Sequence, residues 1–211
     1  MKRALALTVL ALSCILSVSP TWSQPKLLDQ AKGDSAEEPS TQILSDSLTH
    51  NDATKTTRFT GNVVMTRGLL TLTSDQLDIK EDDEGFQYGT ATTEGNKRVY
   101  IRQEKPENFE VLIGLGERAE YDGKEETFDL IKRARLVRYI CGKPFDNVSG
   151  ERIRYFQKTD TYVAIGGPTS ENPQGRVRSV AQPRSRIDAA IEECKKMQAK
   201  GIPIPEAPVL N

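Results

Sequence analysis

Side chains that commonly carry chemistry are scarce in this chain of 211 residues, which has 1 histidine and 3 cysteines. A site built from several histidines, or a serine triad that needs an imidazole, would have to rest on His50 alone. His50 stands in Leu48-Thr49-His50-Asn51-Asp52, a strand end running into a turn, where a solvated ring is the simpler reading. No G-x-x-x-x-G-K-[ST] phosphate loop is present. Cys14 lies inside an apolar run, and Ala11-Leu12-Ser13 before it fits a lipidation signal poorly. Cys141 and Cys194 form a candidate disulfide that would tie the C-terminal tail to the body in an oxidising compartment; two separate thiols are the alternative. Acids are abundant, so a hydrolytic carboxylate pair drawn from Asp75, Glu117 and Glu151 stays open. Glu81-Asp82-Asp83-Glu84, followed by Gly85, reads as a solvated turn, because a calcium loop needs alternating ligands. No metal or cofactor is expected.

The elements that would position these residues fall into five segments. Met1-Lys2-Arg3, an apolar run from Ala4 to Val18, and Pro20 before small residues have the layout of an export signal over residues 1–23. The run is shorter than the roughly 20 residues of a comfortable membrane span, which favours cleavage over anchoring. Residues 24–40 are polar and read as a flexible leader. Residues 41–167 are strand-like, and residues 168–182, rich in Pro, Gly, Ser and Asn, read as a linker. Residues 183–211 form a C-terminal extension. In it Ile187, Ala190, Ile191, Cys194 and Met197 recur at helical spacing, and Gly201 and Pro203 end the short helix. With 36% apolar and 28% charged residues and a net charge of -1, the composition argues against a nucleic-acid binder. Beyond the first run, no apolar stretch suits a membrane-spanning helix.

Within 41–167 the pattern is all-β and antiparallel. Strands are predicted at 59–66, 69–73, 76–80, 99–103, 117–121, 127–131, 136–140, 151–156 and 161–165, separated by turn residues. Apolar positions alternate with polar ones, as in Leu70 and Leu72 against Thr71 and Thr73, so one face of each strand is apolar and the other wet. A small residue followed by an acid opens four similar units, at Ser45-Asp46, Ser74-Asp75, Gly116-Glu117 and Gly150-Glu151. Each is followed by a turn and a strand bearing an aromatic: Phe59, Phe86, Phe128 and Tyr162. Recurrence of the acid at unit starts suits a turn role better than catalysis. Two apolar faces can close into a sandwich core or open into a trough for an apolar ligand, and periodicity does not choose between them.

Ser45-Asp46, the run Arg58-Phe59-Thr60-Gly61-Asn62-Val63-Val64-Met65-Thr66-Arg67-Gly68, and Ser74-Asp75-Gln76-Leu77-Asp78-Ile79 resemble the OstA-like domain family, that of LptA-type periplasmic lipopolysaccharide transport proteins. The resemblance covers about residues 41–167. It implies a twisted, slightly open antiparallel β-jellyroll that holds the acyl chains of lipopolysaccharide in its interior, with no enzymatic activity. It further implies modules joined end to end through terminal strands as a head-to-tail homo-oligomer. Such an assembly would run from an inner-membrane LptC-like component to an outer-membrane LptD-like one. By strand parity, the lipid-binding residues would be Ile43, Phe59, Val63, Met65, Leu70, Leu72, Leu77, Ile79, Ile101, Tyr121, Phe128, Leu130 and Leu136. Lys132, Arg133, Arg135, Arg138, Arg152 and Arg154 are candidates for a rim that meets head-group phosphates, against the alternative of a solvated basic face. This chain departs from the family in two places. Lys132-Arg133 stand where the family's second Gly-Asn pair is expected, which puts the bend of that half in question, and the longer C-terminal extension could cap the terminal strand and limit polymerisation. The other readings are a membrane-anchored partner of the same pathway with an uncleaved N-terminal segment, a secreted jellyroll carbohydrate-active hydrolase, and a β-module without a lipid ligand.

Overall fold

The computed structural model describes residues 39–210. The export signal, nearly all of the leader and Cys14 lie outside the described residues. The strands are β1 (Thr41–Leu44), β2 (Ser47–Asn51), β3 (Thr56–Arg67), β4 (Leu70–Glu81), β5 (Gln87–Thr92), β6 (Val99–Lys105), β7 (Glu110–Gly116), β8 (Arg118–Asp122), β9 (Thr127–Ile140), β10 (Lys143–Phe156), β11 (Thr161–Ile165) and β12 (Arg178–Val180), followed by helix α1 (Arg184–Ala199). All strand pairs are antiparallel, within one 12-stranded sheet.

Four long strands make that sheet fold over on itself. The first half of β3 pairs with β2 and its second half with β1; β4 pairs with β6 through Leu70–Thr73 and with β5 through Gln76–Glu81. Likewise β9 pairs with β8 through its first half and with β7 through its second, and β10 pairs with β12 and then β11. Each long strand therefore belongs to two layers and crosses between them at a corner. The corners in β3 and β9 are bulges. Between Thr60 and Val63, and again between Ile131 and Ala134, one extra residue is inserted against the partner strand.

Apolar residues from both layers meet between them: Phe59, Leu77, Ala91, Ala119, Leu130 and Ile153 from one, and Val63, Leu72, Val99, Ile101, Ala134 and Val148 from the other. The segments predicted at 69–73 and 76–80 are one strand bent at Ser74-Asp75, and those at 127–131 and 136–140 are likewise one strand. Five strands, β1, β2, β5, β7 and β12, lie beyond those predicted. Gln87–Thr92 carries few apolar residues, and Glu110–Gly116 is interrupted by Gly114 and Gly116, so neither shows clean alternation.

The C-terminal extension is part of the same body. Helix α1 matches its predicted span closely, stopping where Gly201 takes a left-handed φ of 67° and Ile202 N–H closes back on Met197 O. Its Ala190 and Cys194 pack on Ile140 and Cys141, flanked by Phe109 and Phe145. Cys141 and Cys194 are disulfide-bonded across a Cα separation of 5.8 Å. Beyond the helix, Ala207 and Leu210 cover the outer side of β6, β7 and β9 at Tyr100, Ile113, Val137 and Tyr139. The segment 168–182, expected as a linker, instead contributes β12, which pairs with Asn147, Val148 and Ser149. Its Gly and Pro content marks turns, whereas the backbone pairing of three residues leaves no periodic signal.

Candidate functional site

Away from the corners the two layers enclose an open cavity of about 230 Å3. Leu70, Ile101, Leu112 and Gly114 line it from one layer with Leu136; Phe128, Leu130 and Ile153 line it from the other. Register explains the convergence. Ile101 lies opposite Leu72 and Gly114, and Gly114 opposite Leu136, so these side chains share the inner face. Gly114 keeps the space open: a Cβ there would come within 3.0 Å of Leu130 Cδ1 across the gap. The space is open to solvent and mainly apolar in its lining.

Leu70, Ile101, Phe128, Leu130 and Leu136, all predicted for the lipid face, are brought together at this cavity. Phe59, Val63, Leu72 and Leu77 are buried in the closed part of the core, with Ile43, Met65 and Ile79 packed against them. Tyr121 stacks against Phe128 at a centroid distance of 4.7 Å and reaches the cavity only through that ring. Missing from the sequence reading of the lining are Gln103, Lys105, Leu112, Gly114, Ile153, Tyr155, Gln157 and Asp160. The alternation of Ile153 and Tyr155 with Arg152 and Arg154 was a usable signal; Lys105, Gln157 and Asp160 sit in polar, turn-like sequence that carries none.

The mouth of the cavity is polar. Lys105 Nζ lies 2.7 Å from Asp160 Oδ2 and 3.8 Å from Glu110 Oε1, and it donates to Tyr155 Oη at 3.4 Å. Tyr155 Oη donates to Asp160 Oδ1 at 2.5 Å. Bonds from Lys105 and then Tyr155 hold the Asp160 carboxyl below its ordinary range, while burial pushes the Tyr155 phenol well up. Burial also pushes Glu110 up, against the pull of Lys105 and Arg138. Because Arg138 lies opposite Leu112 in the β7–β9 ladder, it too faces the interior, pairing with Glu110 at 3.6 Å and with Asp146.

The six predicted rim cations do not form one rim. Arg152 and Arg154 close on Asp129, itself buried, with contacts of 2.8 and 2.7 Å. This group lies on the outer side of its layer, because Arg154 and Asp129 are opposed and alternate with the inward Ile153 and Leu130. Burial by itself would raise the Asp129 carboxyl, but the two guanidiniums outweigh it and hold it low. Arg135 donates to Asn147 Oδ1 at 3.3 Å, and Lys132 and Arg133 stand at the β9 corner. Closeness in sequence groups the six, but Arg133, Arg138, Arg152 and Arg154 each pair with an acid of the chain, at different places in the fold.

The acids that open the four units occupy the corners and hold backbone there. Asp46 N–H donates to Gly61 O at 3.0 Å, and Asn62 Nδ2 donates to Asp46 Oδ2 at 2.9 Å. Asp75 accepts from Glu94 N–H at 2.7 Å and from Lys97 Nζ at 3.0 Å, which together hold its carboxyl low. Glu117 N–H donates to Lys132 O at 3.1 Å, its carboxylate accepts from Arg133 Nε at 2.8 Å, and Glu151 accepts from Thr169 N–H at 3.1 Å. These bonds commit Asp75, Glu117 and Glu151 to turns. His50 is exposed on β2 between Thr57 Oγ1 at 2.8 Å and Asp52 Oδ1 at 2.9 Å. Among the described residues no group of His, Cys, Asp and Glu could hold a metal ion, and no helix is long and apolar enough to cross a membrane.

The same architecture is found in a solved structure. The crystal structure of LptH from Pseudomonas aeruginosa, described as the LptA homologous periplasmic component of the conserved lipopolysaccharide transport device, superposes with a TM-score of 0.58 at 23% identity, over 69% of this chain and 96% of that one. In sequence, the lipopolysaccharide export system protein LptH of the same organism is 27% identical over 157 residues, covering 74% of this chain and 81% of its own length. The family described as LptA/(LptD N-terminal domain) LPS transport protein matches residues 42–161, from β1 to the start of β11. The folded-over sheet, its layer-switching corners and this match lead to one conclusion: the chain belongs to the LptA/LptD N-terminal domain family of lipopolysaccharide transport proteins, a family of carriers rather than enzymes.

Proposed function

We propose that this chain, a periplasmic component of lipopolysaccharide transport, holds the acyl chains of lipid A at the open end of its sandwich and passes the molecule from inner-membrane to outer-membrane components. The observation that carries this reading is the unfilled apolar cavity between the layers. Burial of acyl chains contributes about 25 cal/mol per Å2 without directional bonds, so a ligand held this way can also slide onward. Leu70, Ile101, Phe128, Leu130 and Leu136 are the contacts, and the other apolar residues of the predicted set support them from the closed core.

Hand-over would proceed through the edges. Among the described residues β1 and β2 each pair only with β3, and β11 and β12 only with β10. Each edge also exposes apolar side chains, Leu44 and Leu48 at one and Val163 and Ile165 at the other. Strand addition there would continue the sheet into an LptC-like or LptD-like partner or a second copy, head to tail. A photo-crosslinking residue at Leu136 is expected to capture lipopolysaccharide in cells, whereas one at Lys80, exposed on β4 beside the inward Ile79, is not. Capture at Leu136 no greater than at Lys80 would sink the proposal.

A further inference from the structure

Lys105, Tyr155 and Asp160 join the two layers across the cavity mouth. Lys105 ends β6; Tyr155 is near the end of β10 in the opposite layer, and Asp160 belongs to the turn that follows it. All three line the cavity, and their bonds connect its two sides. The two partners of the ion pair differ in exposure. Lys105 is largely buried, at 19% side-chain exposure, and anchored in a strand, while Asp160 sits at 61% in a hairpin turn. Asp160 takes a left-handed φ of 52°, a conformation that Asp tolerates better than most residues.

We propose that this cluster is an anion-exchange latch: in the empty protein Asp160 holds Lys105 and keeps the layers fastened, and a phosphate of the entering amphiphile displaces the Asp160 carboxylate and takes Lys105 in its place. The inference rests on the carrier reading and adds to it the residue that selects phosphorylated lipid. Charge supports the exchange. With Asp160 in place, the mouth holds Lys105 and Arg138 against Glu110, Asp146 and Asp160, an excess of acid. Once Asp160 swings out, the excess is gone. Glu110, whose burial favours its neutral form, then leaves Lys105 with a weak competitor at 3.8 Å. An ammonium so placed is a point charge suited to a phosphate oxygen. A neutral amphiphile of the same chain length gains nothing from it.

The test is a binding titration of the mature chain with lipid A carrying its phosphates and with the fully dephosphorylated lipid. Asp160→Asn is expected to tighten binding of the phosphorylated lipid about tenfold, a difference of about 1.4 kcal/mol. Lys105→Gln is expected to weaken it by about as much. With the dephosphorylated lipid the two variants should behave alike, since both merely open the latch. Tyr155→Phe, which removes one hydroxyl and no charge, should shift phosphorylated-lipid binding in the direction of Asp160→Asn and covers the case in which a charge variant fails to fold. If the variants move both lipids equally, the cluster is only a structural pair and the latch is overturned. If the unaltered chain binds neither lipid, the carrier reading itself fails.

Discussion

The corners in β3 and β9 bend the sheet in the same way with different residues. In β3 the inserted bend is Gly61-Asn62, with φ of 82° and 46°; in β9 it is Lys132-Arg133, with φ of 59° and 45°. Glycine enters the left-handed region freely and asparagine more readily than most, whereas an ordinary side chain there costs about 1–2 kcal/mol per residue. At the first corner, among the described residues, Asp46 bonds Gly61 O and Asn62 Nδ2. At the second, Glu117 binds both Lys132 O and Arg133 Nε, Arg133 Nη2 donates to Asn96 O at 3.0 Å, and Arg133 N–H donates to Thr169 O at 3.0 Å. Thr169 comes from the segment 168–182 that follows β11, which thus braces the corner whose own residues are strained. Replacement of the expected Gly-Asn pair put that bend in question; the structure keeps the bend and supplies its support from distant chain.

The largest way to break this comparison is to free the chain beyond β11, which the Cys141–Cys194 bond ties back at its helix. The disulfide closes a sequence separation of 53, and losing it in a Cys141→Ala/Cys194→Ala variant should lower unfolding free energy by about 4 kcal/mol by loop-closure entropy. Denaturant titration measures the total. Amide exchange should accelerate at Arg133 more than at Asn62, and equal acceleration would show that the segment 168–182 does not brace the second corner. Opposite signs at the two corners are the next effect. A Cβ at Gly61 would sit 2.2 Å from Asp46 Oδ2, so Gly61→Ala should destabilise by about 2 kcal/mol, while Lys132→Gly should stabilise by about 0.5–1 kcal/mol. Destabilisation by both would remove the claim that Lys132 is strained. The smallest effect is acid sensitivity. Asp75 near the first corner and Asp129 in the second half both have depressed carboxyl values, so each contributes stability above the unfolded value near 3.8 and loses it as pH falls further through the folded value. Stability should be flat near pH 6 and fall below about pH 4. Asp129→Asn should flatten that fall more than Asp75→Asn, because Asp129 is the more buried, at 6% exposure against 21%, and serves two arginines.

How much of this was legible beforehand differs between fold and site. Alternation in β3, β4 and β9 picked out inward residues on both sides of the corner, and in β10 only on the side after Gly150, because a side chain's face is a local property of a strand. The acids at 46, 75, 117 and 151 were readable as turn residues for the same reason. The site was less accessible. Phe59 and Leu136 look equivalent by parity, yet one is sealed in the closed core and the other lines the cavity. Arg138 and Arg152 belong to one basic cluster in sequence, yet they lie on opposite sides of the sheet's layers, inward and outward, beside different acids.

The residues themselves determined that this is an antiparallel β-protein with a short C-terminal helix, poor in catalytic side chains and built on repeated acidic turns. Alternation, capping and composition act over a few residues, so they survive in the linear chain. Tertiary structure alone decided where the two layers part and which apolar side chains face the gap. It also decided that Lys105 meets Asp160 across the mouth and that Thr169 supports Arg133. Those pairings depend on where the folded sheet brings distant strands together, a three-dimensional relation that no local pattern encodes.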